Sequence, residues 1–223
     1  ETQWLDFTPA ERSKYAAARA EDRQKRDNLS YRDNVTDFGL RMALLHAMQH
    51  CAGANTKLKA VMADLAALKA REPHMHVVIF TQHSKTHGKL VSHLRQQQGI
   101  TIYEVTGKVQ IKKRHELIKE FQKGEAKAKA IVCMMRTASC GITLTAATRV
   151  YLLEPCFDPT DELQAAGRIH RLGQSKEVLC KRFVFRNSVE SCVVSVHDKL
   201  KAGSFKITDK AFTTAIVREL CKE

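Results

Sequence analysis

From residue 76 onward the sequence alternates short apolar runs with helical patterns, and this alternation constrains the fold more than any other feature. VVIFTQ follows His76, ITIYEV fills 100–105, AIVCMM 130–135, RVYLLE 149–154 and VLCKRFVF 178–185. These runs are short and rich in β-branched or aromatic side chains, as strands buried in a parallel sheet are. Between and after them, Leu90, Val91 and Leu94, then Leu117, Ile118 and Phe121, then Val189, Cys192, Val193, Val196 and Leu200 recur at helical spacing, and a further helix is expected over 160–172. Strands that alternate with helices require crossover connections, so the expected fold class is α/β with a mainly parallel sheet.

Upstream the character differs. PAERSKYAAARAEDRQKRDN, from Pro9, predicts an exposed charged helix with Thr8 as its N-cap and Pro9 at its first position. A second helix is expected over 38–50. A third starts near Asn55, where Leu58, Val61, Met62, Leu65 and Leu68 share a face. The last twenty residues read as one more helix. The expected organisation is therefore a helical segment over 1–54, an α/β domain over 55–202 and a helical extension over 203–223.

Charge narrows the partners. Lys and Arg number 37 against 24 Asp and Glu, a net charge of +13, and the excess is concentrated between 76 and 130. Such a balance favours a polyanion, nucleic acid ahead of an anionic membrane surface. No apolar run approaches a bilayer span, so no membrane partner is expected. The seven cysteines are scattered, odd in number and never in a C-x-x-C pair, which points to a reducing compartment and against a zinc site. With no initiator Met and no targeting segment, the chain reads as a piece of something longer.

In parallel α/β sheets, ligands sit beyond the carboxyl ends of the strands. Four segments there carry unusual chemistry. Thr81-Gln82-His83-Ser84 offers a hydroxyl and an amide, though alone it reads as a helix cap. Thr106-Gly107-Lys108 combines a hydroxyl, close backbone approach and a charge. Arg136 to Thr145 is small and polar and leads through Gly141 toward a helix start, where backbone N–H groups form a phosphate nest; a plain strand-to-helix turn explains it equally well. The sharpest is QAAGRIHRLGQ, 164–174. Arg168 and Arg171 lie three apart, expected on one helix face with Gln164 a turn earlier, and two guanidinium forks suit a phosphate chain.

Taken in order, these blocks resemble the second RecA-like lobe of the Swi/Snf-type helicase-related ATPases of superfamily two, the DNA translocases of chromatin remodelling and repair. VVIFTQ resembles that family's motif IV, YEVTGK its next nucleic-acid-facing block, GITLTAATRVYLLEP motif V with the segment behind it, and QAAGRIHRLGQ motif VI. WLDFTPAERSKY is similar to the helical protrusion between the two lobes. LLEPCFDPTDELQAAGRIHRLGQ resembles most the remodeller-like ubiquitin ligases, which carry a RING finger, although this chain holds no RING ligands. The chain departs from the family at Thr137-Ala138-Ser139-Cys140, where paired small residues are usual, at Thr143, where asparagine is common, and at Glu154 and Cys156-Phe157-Asp158.

The resemblance implies a RecA-like three-layer domain preceded by a helical protrusion. It implies ATP and Mg2+ as cofactors, bound mainly by a first lobe that this chain lacks, since neither a G-x-x-x-x-G-K-[ST] loop nor an acidic pair after a buried strand is present. The chain alone is expected not to hydrolyse ATP. Arg168 and Arg171 would stabilise the transferring phosphate, Gln164 would register the closed state, and Gly141 would approach the nucleotide. Gln82, Thr106, Gly107, Lys108, Arg114, Arg136 and Thr137 would hold the backbone of double-stranded DNA, nucleosomal DNA included, while the lobes ratchet. A nuclear location follows from the same likeness. An RNA helicase lobe, a non-catalytic DNA- or nucleosome-binding scaffold and a basic domain without motor ancestry stand as alternatives.

Overall fold

A computed structural model describes residues 1–30, 37–107, 109–124, 127–138 and 141–203. The expectations for Lys108, for Ser139-Cys140 and for a helix over 204–223 therefore lie outside the described residues.

The described residues form a six-stranded sheet of β1 (Thr2–Leu5), β2 (His76–Thr81), β3 (Ile100–Val105), β4 (Ala128–Met134), β5 (Arg149–Leu152) and β6 (Leu179–Phe185), in the order β1-β6-β5-β2-β4-β3. Every pairing is parallel. The helices are α1 (Pro9–Ser30), α2 (Asp37–Ala52), α3 (Asn55–Arg71), α4 (Ser84–Arg95), α5 (Ile111–Gln122), the short α6 (Met135–Ala138), α7 (Pro159–Ala166) and α8 (Val189–Lys201).

The apolar runs become buried strands because side chains alternate between two cores. Val77 and Ile79 of β2 join one cluster with Leu58, Leu65, Leu90, Leu94, Phe183 and Val193, so α3, α4 and α8 cover that face. Val78 and Phe80 join the other with Phe121, Leu144, Ala165 and Ile169, which places α5 and α7 opposite. The result is three layers, helix on sheet on helix, as a RecA-like domain requires.

β1 was not legible in TQWL. It takes its conformation from its neighbour, pairing Thr2 to Leu5 with Arg182 to Phe185 at the sheet edge. Behind it, Phe7 stacks on Phe185 with ring centroids 3.9 Å apart, and Tyr15 Oη accepts a hydrogen bond from Val189 N at 2.8 Å. Leu5, Tyr15, Leu44, Met48 and Cys51 share a core with the sheet, so α1 and α2 pack on this domain. The α1 start carries the expected cap: the Thr8 hydroxyl accepts from Glu11 N, and the Glu11 carboxylate accepts from Thr8 N and Thr8 Oγ1.

Below the strand ends on the α3 side lies a closed ion pair. Lys57 and Glu190 are fully buried, with Nζ 2.5 Å from Oε1. Lys57 also donates to Leu153 O and Phe183 O, and Glu190 Oε2 accepts from Phe185 N, so the main polar atoms of both side chains are used. Burial raises the Glu190 pKa against the pull of Lys57.

Candidate functional site

Because all six strands are parallel, the loops after β2, β3, β4 and β5 emerge at one edge of the sheet. Gln82, Thr106, Gly107, Arg136 and Thr137 are thereby brought to the same edge. The loops are tied to one another. Glu154, fully buried, accepts from Thr81 Oγ1 at 2.7 Å and from Gln82 N. Gln82 Nε2 donates to Pro155 O, so the Gln82 amide joins the β2 and β5 loops. Burial pushes the Glu154 pKa up, opposed by these hydrogen bonds and by Lys57.

Arg114 of α5 is half-buried. Its Nη2 reaches the carbonyls of Thr106 and Val109 at 3.4 Å, bracing the Gly107 turn from beneath, and its Nε is buried without a partner. Thr137 is turned inward: it is buried, and its hydroxyl donates to Met134 O, which closes the first turn after β4. Arg136 beside it is exposed.

The motif over 164–174 departs from the expected single helix. α7 is capped at its start, where Asp158 Oδ1 accepts from Thr160 N at 2.8 Å and Pro159 opens the first turn, but it ends at Ala166. Gly167, Arg168 and Ile169 tighten into turns, with Arg168 N on Ala165 O and Ile169 N on Ala166 O. The cause is tertiary. Ile169 is drawn into the core under β5, and the Arg168 carbonyl accepts from Leu144 N at 2.8 Å. The two arginines are therefore placed by a turn locked to the 141–147 segment, not by phase along a helix. Gln164 stays on α7 and is exposed.

Side chains add further bonds to that lock. Arg171 Nη1 donates to Thr143 Oγ1 at 2.7 Å, and its Nε to Gly167 O. Gln174 Nε2 donates to Thr145 O and Ala147 O, both at 2.9 Å. From the other side, Gln122 of α5 accepts from Ala146 N and donates to Thr145 Oγ1. The ends of the two segments use glycine where the backbone is left-handed, Gly141 at φ +72° and Gly173 at φ +95°, with open space around both. Within this frame Arg168 Nε is buried and has no hydrogen-bond partner. A buried guanidinium donor without an acceptor is costly, and it is suited to an anion arriving from outside. Thr143, Gln122, Gln174 and Glu154 do much of this holding. None was picked as a site residue from sequence, although Thr143 and Glu154 stood out as departures.

Comparison with known proteins places these features in a family. The helicase conserved C-terminal domain matches residues 56–173, just over half of the chain. A putative SWI/SNF-related matrix-associated actin-dependent regulator of chromatin, subfamily A member 3-like 1, of Arabidopsis thaliana is 36% identical over 148 residues, covering 66% of this chain and 17% of that protein. The DNA repair protein RAD5 of Kluyveromyces lactis is 30% identical over 155 residues (67% and 14%). The human helicase-like transcription factor is 31% identical over 156 residues (68% and 15%). The chain thus spans about a sixth of the length of these curated relatives. Among solved structures, the Sulfolobus solfataricus SWI2/SNF2 ATPase C-terminal domain superposes with a TM-score of 0.68 at 15% identity, over 96% of this chain and 92% of that one. The ATPase core of the same organism, in complex with double-stranded DNA, gives 0.70 at 18% identity, over 98% and 46%. The parallel three-layer fold, the interlocked 141–147 and 167–174 segments and the family match agree: this chain belongs to the helicase conserved C-terminal domain family, as a C-terminal lobe of the Swi/Snf type.

Proposed function

We propose that the chain serves as the second lobe of an ATP-dependent double-stranded-DNA translocase acting in chromatin remodelling or DNA repair. ATP supplies the bond whose hydrolysis drives movement. The observation that carries the reading is the pair of arginines fixed by the lock, with Arg168 Nε buried and unpartnered and Arg171 held on Thr143. Guanidinium donors fit phosphate oxygens, whereas no carboxylate is held in that lock, so Mg2+ would be held by the other lobe together with the rest of the nucleotide. Arg168 and Arg171 would meet the terminal phosphate when the lobes close, and Gly141 would let the backbone approach it. Gln164, exposed on α7, would face the partner lobe.

Gln82, Thr106, Gly107 and Arg136 would contact DNA phosphates from the same edge, and Lys108 would add its charge to theirs. Arg114 and Thr137 would act by bracing the turns beneath them. Backbone contacts of this kind read charge rather than sequence and weaken with salt. Homologues named for DNA repair and chromatin regulation, and a structural neighbour bound to double-stranded DNA, support this choice over an RNA helicase lobe and are consistent with a nuclear location.

The test is DNA-stimulated ATP hydrolysis by this lobe joined to its nucleotide-binding partner lobe, in one polypeptide or by addition in trans. Arg171→Ala should lower the rate at least about a thousandfold, as loss of an arginine finger does. A rate indifferent to Arg171 would instead favour a DNA-binding scaffold. The chain alone, expected to be silent, is the control.

A further inference from the structure

On the α3 side, away from the 141–147 and 167–174 lock, a cleft of about 460 Å3 opens between α1, α2 and α4. Three lysines from two of these helices line it: Lys14 of α1, and Lys85 and Lys89 of α4. His46 and His50 of α2 face it, their rings in edge contact at 4.9 Å. One carboxylate is present, Glu11, and it is already committed. Its two oxygens accept from Thr8 N, Thr8 Oγ1, Thr56 N and Thr56 Oγ1, the last at 2.6 Å. Those bonds outweigh its burial and hold its pKa down at about 2. The lining therefore carries a net positive charge even with both imidazoles neutral.

The floor of the cleft supplies a second, independent feature. Thr86 is 1% exposed, and its hydroxyl has no hydrogen-bond partner. A helical threonine ordinarily returns its hydroxyl to a carbonyl one turn back, and this one does not. It lies beside Gly53, where a Cβ would come within 3.3 Å of Gln49 O and 3.9 Å of both Thr86 Oγ1 and Lys89 Nζ, and Lys89 Nζ donates only a long bond, 3.4 Å, to Gly53 O. Hydroxyl and ammonium thus converge on one small space. Lys85, in the first turn of α4, borders it as well, and α4 receives no hydrogen bond from the side chain of its N-cap residue, His83, whereas the first turn of α3 beside Asn55 is capped by Glu11 through Thr56 N. The α4 start adds positive partial charge to the lysines.

We infer that this cleft binds a compact phosphate-class anion bearing two or more charges, such as a phosphomonoester or a short polyphosphate. Donors that converge from α1 and α4 suit many oxygens clustered on one centre. A phosphodiester, with one charge and two non-bridging oxygens, would leave most of them unused. The inference stands apart from the translocase reading, since it uses none of the residues assigned to that role.

The experiment is calorimetric titration of the chain with pyrophosphate at moderate salt. Binding should be seen, and Thr86→Val and Lys89→Met should each weaken it at least about tenfold, the cost of one hydrogen bond to a charged group. Lys176→Met, an exposed lysine elsewhere, should leave it unchanged. Thermal unfolding of the near-isosteric Thr86→Val confirms that the variant is folded. The inference is overturned if pyrophosphate does not bind, if both variants bind it as the parent chain does, which places the probe on Arg168 and Arg171 instead, or if a short DNA duplex displaces it competitively.

Discussion

The two faces of the sheet handle buried polarity in opposite ways. On the α3 and α8 face the charges are matched inside the protein: Lys57 reaches Glu190 and two carbonyls, and Asp64 of α3 accepts from both Tyr151 Oη and Lys181 Nζ. On the α5 and α7 face Glu162 pairs with Arg182, but around the lock the matching is done by neutral groups, Gln122, Gln174 and Thr143, and what they hold in place is a pair of arginines with a buried donor left over. The first arrangement fixes which elements pack together. The second positions charge without neutralising it.

The comparison breaks most readily at its strongest point. Lys57→Met alone should cost about 3–5 kcal/mol in denaturant unfolding, because it strands a buried carboxylate. Lys57→Met combined with Glu190→Leu should recover a large part of that loss; a double variant no better than the single would mean that the pair does more than satisfy itself. Next, Gln174→Ala removes two donors from the lock and should lower stability by about 2 kcal/mol, while ATP hydrolysis by the two-lobe protein falls further than stability accounts for. Gly173→Ala, at φ +95°, should cost about 1–2 kcal/mol through backbone strain alone, read by the same unfolding curves.

The smallest effect concerns pH. Burial, followed by the nearby Lys57 charge, depresses the pKa of His83 to about 4 from an ordinary 6.5. The native state therefore binds fewer protons than the unfolded chain between these values. The stability contributed by the neutral ring is present above pH 6.5 and declines as pH falls toward 4. His83→Asn should flatten that part of the stability profile, and an unchanged slope there would assign the acid sensitivity to other groups.

Much of the fold could be read from the chain because its central strands are buried on both faces and must be apolar throughout. β3 and β6 emerge within a residue of where ITIYEV and VLCKRFVF place them, and α3 and α8 follow their apolar stripes. β1 could not be read, since an edge strand of four residues is defined by its partner rather than its pattern. The site was legible as a set of loops but not as a geometry. Arg168 and Arg171 were visible from spacing, yet the helix meant to phase them stops at Ala166, because Ile169 and Leu144 pull the backbone elsewhere. Thr137 looked like a surface hydroxyl, and only the position of Met134 O decides that it points inward.

The pairing of β1 with β6 carries a consequence for biosynthesis. Leu5 must wait for Phe185, 180 positions later, before its strand has anywhere to dock. On a ribosome adding about 5–20 residues per second, that interval is roughly 10–40 s. Throughout it Trp4, the only tryptophan in the chain, belongs to a segment without a sheet. Emission from Trp4 during refolding of this chain is thus a natural clock for closure of the sheet.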